Sequence, residues 1–129
     1  MKYQVHYQMT LSVPQLNYLS ESKYHKNRMA FFLDLVNSAV LKPTKSQVCG
    51  CDETINIGQV EKSEVQLAKD WDCDRKTVSK VIAKMNELGI ITTKKSNRTS
   101  VHTIHPVAAW IVDNIRIKNP YFRTGYVYN

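Results

Sequence analysis

Arg75-Lys-Thr-Val-Ser-Lys-Val-Ile-Ala-Lys-Met-Asn-Glu-Leu88, closed by Gly89, sets the framework into which the remaining residues fit. Its apolar residues, Val78, Val81, Ile82, Met85 and Leu88, fall at i, i+3, i+4, i+7 and i+10. That spacing is one stripe of an amphipathic helix. The opposite strip carries Lys76, Ser79, Lys80, Ala83 and Glu87, with Thr77 and Lys84 flanking it. Ser79 and Ala83 are small, so a partner can approach closely between the lysines. Asp74 is placed to cap the helix start. Gly89 stops the helix, because glycine takes positive φ at little cost.

Working outward, Ser63-Glu-Val-Gln-Leu-Ala-Lys-Asp-Trp71 predicts a shorter helix just upstream. Ser63 and Gln66 have the spacing of a capping box. Val65, Leu67, Ala68 and Trp71 supply its apolar positions. Barely two turns long, it must pack to persist. Asp72-Cys-Asp74 forms the tight turn between the helices, with Cys73 as a small buried filler. Downstream, residues 90–95 and 101–104 are β-rich and flank a polar tip at residues 96–100, which predicts a hairpin. Lys94, Lys95, Asn97, Arg98 and Thr99 sit on or beside that tip.

Charge concentrates in the same place. Arg75, Lys76, Lys80, Lys84, Lys94, Lys95 and Arg98 face a single acid, Glu87, between residues 75 and 100. Seven against one leaves +6 of the chain's net +7 in this segment. Such a concentration is the electrostatic footprint of a polyanion site. The competing expectation is a solvated helix face and a lysine-rich turn. A helix with this face fits the DNA major groove. Lys76, Thr77, Ser79 and Lys80 are expected at base edges or flanking phosphates, and Lys84, Lys94, Lys95 and Arg98 on the backbone. Arg75 is a further phosphate contact, and Asn97 and Thr99 belong to the tip that suits the backbone or minor groove.

The order helix, turn, helix, hairpin resembles the winged helix-turn-helix family. The residues that carry the resemblance are 64–71, Asp74-Arg-Lys-Thr-Val78, Leu88-Gly-Ile-Ile91 and the hairpin at 94–103. Ile57-Gly-Gln-Val60 looks like the lead-in strand of phage replisome-organiser and related initiator proteins. The resemblance implies double-stranded DNA binding, with residues 75–88 as recognition helix and 96–100 as wing. Transcriptional regulation is the leading expectation. A replication-initiation or plasmid and phage accessory role, or a winged-helix protein-interaction module, is the alternative.

The remaining residues are expected to build one domain over 1–129. Residues 1–14 form an N-terminal strand or arm: Tyr3, Val5, Tyr7, Met9, Leu11 and Val13 alternate with polar residues, and Pro14 ends the run. Residues 24–41 form a core helix on Met29, Phe32, Leu33, Val36 and Val40, widened by Phe31, Leu35 and Ala39. Residues 42–54 form a loop. The span 55–104 holds the lead-in strand, both helices and the hairpin. Residues 106–118 form a C-terminal helix opened by Pro106, with Val107, Trp110, Ile111 and Ile115 on one face. The tail, 119–129, is aromatic and expected to lie on a surface. The class predicted is therefore α+β, mainly α, with a homodimer possible through the N-terminal strand or the C-terminal helix.

No run approaches the roughly 18 apolar residues of a membrane span, and no signal peptide is visible, so a cytoplasmic location is expected. Three cysteines argue against a disulfide framework. Cys49-Gly-Cys51 lacks the second pair that structural zinc uses, so no metal or other cofactor is expected. His6, His25, His102 and His105 have no evident nucleophile partner and the four glycines are scattered, so an enzyme is not expected. If the stripe is phased correctly, Val81→Asp places a charge in the core. That variant should lose its cooperative thermal transition in circular dichroism; a folded Val81→Asp protein would mean that the helix faces another way.

Overall fold

A computed structural model describes residues 4–23, 26–48 and 52–124. In chain order these form β1 (Val5–Met9), α1 (Val13–Ser20), β2 (Ser22–Lys23), β3 (Lys26–Asn27), α2 (Arg28–Ser38), β4 (Thr44–Lys45) and β5 (Thr54–Ile55). There follow β6 (Gln59–Glu61), α3 (Glu64–Asp70), α4 (Arg75–Glu87), β7 (Ile91–Lys95), β8 (Ser100–Ile104), β9 (Val107–Val112) and β10 (Ile115–Lys118). Two antiparallel sheets of three strands, β6-β8-β7 and β1-β9-β10, carry most of the strand structure, and β2-β3 and β4-β5 are two-residue ladders.

The central helices follow their caps. Ser63 Oγ accepts from Gln66 N at 3.1 Å at the start of α3, and Asp74 Oδ1 accepts from Thr77 N at 2.8 Å at the start of α4. Gly89 has φ +72° and ends α4. Val78, Val81, Ile82 and Met85 are all buried, with Leu88 half-buried at the end of the stripe. In α3 Leu67 is buried, but Val65 is 56% exposed and does not join the core. Trp71 stacks on Phe31 of α2, ring centroids 4.5 Å apart, and donates Nε1–H to Asp34. Downstream, β7 and β8 pair from Ile91↔Ile104 to Lys95↔Ser100, and β6 lies on the other edge of β8 with Val60 opposite His102.

Residues 106–118 are not the helix that their apolar spacing predicts, and the chain is not mainly α. They form the antiparallel hairpin β9–β10, with Ile117 opposite Trp110. The turn is Asp113-Asn114, both at positive φ (49° and 71°), the conformation that tight hairpins require and that Asp and Asn tolerate. Val, Ile and Trp dominate β9, and Ile-Arg-Ile-Lys alternates in β10. Short-range turn chemistry and β-branching thus outweigh an accidental helical spacing. The C-terminal element offered for a homodimer is thus a strand hairpin and not a helix.

The new hairpin explains the N-terminal strand. β1 pairs with β9, Tyr7 opposite Trp110, so Trp110 lies between Tyr7 and Ile117. Its indole N–H donates to Val36 O at 3.0 Å, which ties the sheet to α2. Pro14 does not end the strand; it lies in the first turn of α1, where proline is tolerated. Ser12 and Gln15 form a capping box there, and Gln15, fully buried, donates Nε2–H to Leu88 O at the end of α4. The core helix is shorter than predicted: α2 starts at Arg28, capped by Asn27, and ends at Ser38. Residues 1–3, 24–25, 49–51 and 125–129, including Tyr3 of the expected strand, the Cys49–Cys51 pair and the tail's last aromatics, lie outside the described residues.

Gly58 joins the two sheets. It has φ +89°, accepts from Ile104 N, and donates to Val40 O. A Cβ there would lie 2.3 Å from Oδ1 of Asn119. Asn119 is buried and donates to both Ile104 O and Val107 O at 2.8 Å, bridging the β8–β9 link. Gly58→Ala therefore meets a backbone conflict and a clash together. It should lower stability by more than about 1 kcal/mol in urea titration; an unchanged midpoint would contradict this packing.

Candidate nucleic-acid interface

The outer face of α4 emerges as its stripe dictates. Arg75, Lys76, Ser79, Lys80, Ala83 and Glu87 are exposed, and Lys84 is half-exposed. Thr77 is not among them: it is buried in the first turn, its backbone N–H held by Asp74. Its side chain therefore faces inward and does not present itself to a groove. Lys76 and Lys80 have no ion-pair or hydrogen-bond partner among the described residues. The other expected contacts sit on the hairpin, where Lys94, Lys95, Asn97 and Arg98 are exposed and Thr99 is half-buried. The tip is shaped locally: Ser96 and Thr99 exchange hydrogen bonds across it.

A chain of half-buried and buried polar groups, Asn86, Thr93 and His102, fixes the hairpin against α4. Asn86, in the last turn of α4, accepts from Thr93 N at 2.9 Å through Oδ1. Its Nδ2 donates to Thr93 Oγ1 and, one turn back, to Ile82 O. Thr93 Oγ1 lies 2.9 Å from His102 Nδ1, and His102 Nε2 lies 3.0 Å from Lys62 O. Donor and acceptor rules settle the protons. A carbonyl only accepts, so Nε2 carries the hydrogen; Nδ1 then accepts from the Thr93 hydroxyl, which itself accepts from Asn86. Every group in the chain has a partner, and α4, β7 and β8 are joined through it to the backbone just after β6. Asn86, Thr93 and His102 were not among the expected site residues. Their signal was present in the alternation of the hairpin, which puts Thr93 directly across from His102.

Carboxylates from outside the basic segment enter the same face. Glu53, beside β5, is 3.6 Å from Lys94, and both remain exposed. Glu64, the first residue of α3, is 3.0 Å from Lys95 and accepts from Ser79 Oγ at 2.7 Å. The Ser79 and Lys95 contacts hold the Glu64 carboxyl below the usual carboxylate range, against a smaller opposing effect of burial. Within the segment Lys84 pairs with Glu87 at 3.3 Å. Between α3, the start of α4 and the hairpin tip lies an open cleft of about 280 Å³, lined by Glu64, Arg75, Lys95 and Arg98 among others.

His105 belongs to a separate cluster at the far end of β8. It donates Nδ1–H to Tyr121 O and accepts from the Thr92 hydroxyl at Nε2. Tyr121 in turn accepts from Asn56 through its hydroxyl, so the start of the tail lies on the protein's own surface. Among the described residues no three His, Cys, Asp or Glu side chains converge to hold a metal ion, and no helix is long and apolar enough to cross a membrane. No family model, curated protein or solved structure matches this chain.

The histidines make stability depend on pH. Burial holds His102 below its usual value near 6.5, and His105 shifts the same way for the same reason. The unfolded chain takes up these protons as pH falls through about 6.5, whereas the native chain resists them to lower pH. Their contribution is therefore complete above about pH 6.5 and is lost below it. Urea midpoints should fall between about pH 7.5 and about pH 5.5. His102→Leu should flatten that dependence and cost about 1–3 kcal/mol at neutral pH, because the Thr93 hydroxyl and the Lys62 carbonyl lose their buried partner. A His102→Leu protein with unchanged stability and pH dependence would contradict the buried network.

Proposed function

We propose that this protein binds double-stranded DNA in the manner of a winged helix, with α4 as the recognition helix and the β7–β8 hairpin as the wing, and that it serves as a transcriptional regulator in the cytoplasm. The observation that carries this reading is the pair Lys76 and Lys80. Among the described residues they stand unpartnered, on the exposed face of a helix beside a hairpin fixed by the Asn86–Thr93–His102 chain. Exposed lysines without intramolecular partners keep their full charge for phosphates. A helix about 10–12 Å across matches a major groove about 12 Å wide. Ser79 and Ala83 lower the profile between the two lysines, which lets the backbone of α4 come near base edges.

Arg75 and Lys84 flank that face along α4 and suit the phosphates on either side. Asn97, Arg98 and Thr99 occupy the tip, where a short polar turn suits the sugar-phosphate backbone or the minor groove. Lys94 and Lys95 stand at the base of the wing, each beside a carboxylate. The fixed wing matters because phosphate contacts set the register of the reading helix only if both move as one body.

The test is fluorescence anisotropy with a random duplex of about 30 base pairs across a salt series. Affinity should fall steeply as salt rises. Lys80→Glu should weaken binding more than about tenfold at low salt while changing stability by less than about 0.5 kcal/mol, since it alters an exposed position. Undiminished binding by Lys80→Glu would remove α4 from the interface. Absence of wild-type binding at low salt would overturn the reading itself.

A further inference from the structure

Glu64 stands where a polyanion site has least use for a carboxylate. It lies at the junction of α3, the middle of α4 and the end of β7, between Ser79 of the proposed reading face and Lys95 of the proposed wing. Its side chain is only 13% exposed, whereas that of Lys95 is 66% exposed. The carboxylate is thus recessed and the ammonium stands outside it. A phosphate approaching the cleft meets Lys95 first and Glu64 behind it.

We propose that Glu64 is a built-in counter-ion for Lys95, which a phosphodiester group of the duplex must displace on binding. The inference rests on the DNA-binding reading and assigns a role within it. Unliganded, Lys95 is neutralised by Glu64, so the cleft carries less positive charge than its lysine and arginines imply. On binding, the flexible lysine stem swings its ammonium from Glu64 to phosphate, while Glu64 stays held by the Ser79 hydroxyl. Exchange of one anion for another yields little net gain, so the pair restrains sequence-independent attraction. The burden of binding then falls on Lys76 and Lys80, which stand at the reading face. The residue therefore limits affinity for arbitrary duplex relative to a site that α4 reads.

The same geometry sets the choice of variants. Gln at position 64 keeps an oxygen that accepts from Ser79, yet removes the charge that holds Lys95. Glu64→Gln, Lys95→Ala and the double variant would be compared with the wild type on a random duplex of about 30 base pairs, by anisotropy across salt. Glu64→Gln should bind about 3-fold tighter or more at low salt, the scale of one charge pair at a protein surface. Its plot of log affinity against log salt should steepen by up to about 0.9, because in the wild type the cation released from the phosphate is offset by one taken up at the vacated Glu64 carboxylate. Lys95→Ala alone should weaken binding at low salt, because it removes the ammonium that moves to phosphate and leaves the Glu64 carboxylate unmatched beside the duplex. In the double variant affinity should return to about that of the wild type, because the pair is again without net charge.

Two results would overturn the proposal while leaving DNA binding intact. One is wild-type binding with no change in affinity or salt slope for Glu64→Gln. The other is tightening over the wild type that persists undiminished in the double variant, which would mean that Glu64 acts only through the general field. Failure of wild-type and Glu64→Gln proteins alike to bind duplex at low salt would overturn both the counter-ion and the reading beneath it.

Discussion

The side-chain amide of Asn86 is the joint on which the basic face depends. Its two hydrogen bonds to Thr93 fasten the end of α4 to the middle of β7. Thr93 passes the constraint to His102 and so to the backbone of Lys62, just before α3. A polar chain of this kind, half-buried at Asn86 and Thr93 and fully buried at His102, is strong only when complete, because a buried group left without a partner keeps the cost of losing water. Here each proton has one acceptor, so helix, hairpin and lead-in strand have one relative placement. The charged residues at the surface inherit that placement.

A second joint closes the structure from the other side. Trp110 reaches through the β1-β9-β10 sheet to the backbone of α2, and Asn119 bridges Ile104 and Val107 where one sheet hands over to the next. Gly58 is pressed against Asn119, so the lead-in to β6 and the exit from β10 meet at one point. Gln15 does similar work for α1, by capping the end of α4 from the outside. The helix that presents Lys76 and Lys80 is thus held at its start by Asp74, at its end by Gln15 and Asn86, and along its inner face by the core. Only its outer strip is left for a partner.

The electrostatics follow from the same packing. Along the chain, residues 75–100 are almost purely basic. In space, Glu53, just before β5, and Glu64 of α3 stand beside Lys94 and Lys95. The positive face is therefore uneven: strongest at Lys76 and Lys80 and tempered at the base of the hairpin. Under the proposed function, this unevenness would favour contact through α4 over undirected attraction to a polyanion.

What the sequence alone determined is the part whose signals are local. Capping residues at Ser63 and Asp74, the stripe from Val78 to Leu88, the stop at Gly89 and the alternation on either side of residues 96–100 each lie within a few residues of the structure they specify. They define α3, α4 and the hairpin with boundaries close to those observed. Ser12-Val-Pro-Gln15 and Asp113-Asn114 were equally local and equally informative, yet they pointed to a helix and a hairpin that coarser apolar spacing obscured. Tertiary structure alone decided the rest. Where Trp110 would be buried, which strand β1 would pair with, and which lysines would find a carboxylate all depend on contacts between residues many tens of positions apart. No local pattern encodes such contacts, because they exist only once the backbone brings distant side chains to one place. For the same reason, the charge of the candidate site could be counted in the sequence, but its distribution could not.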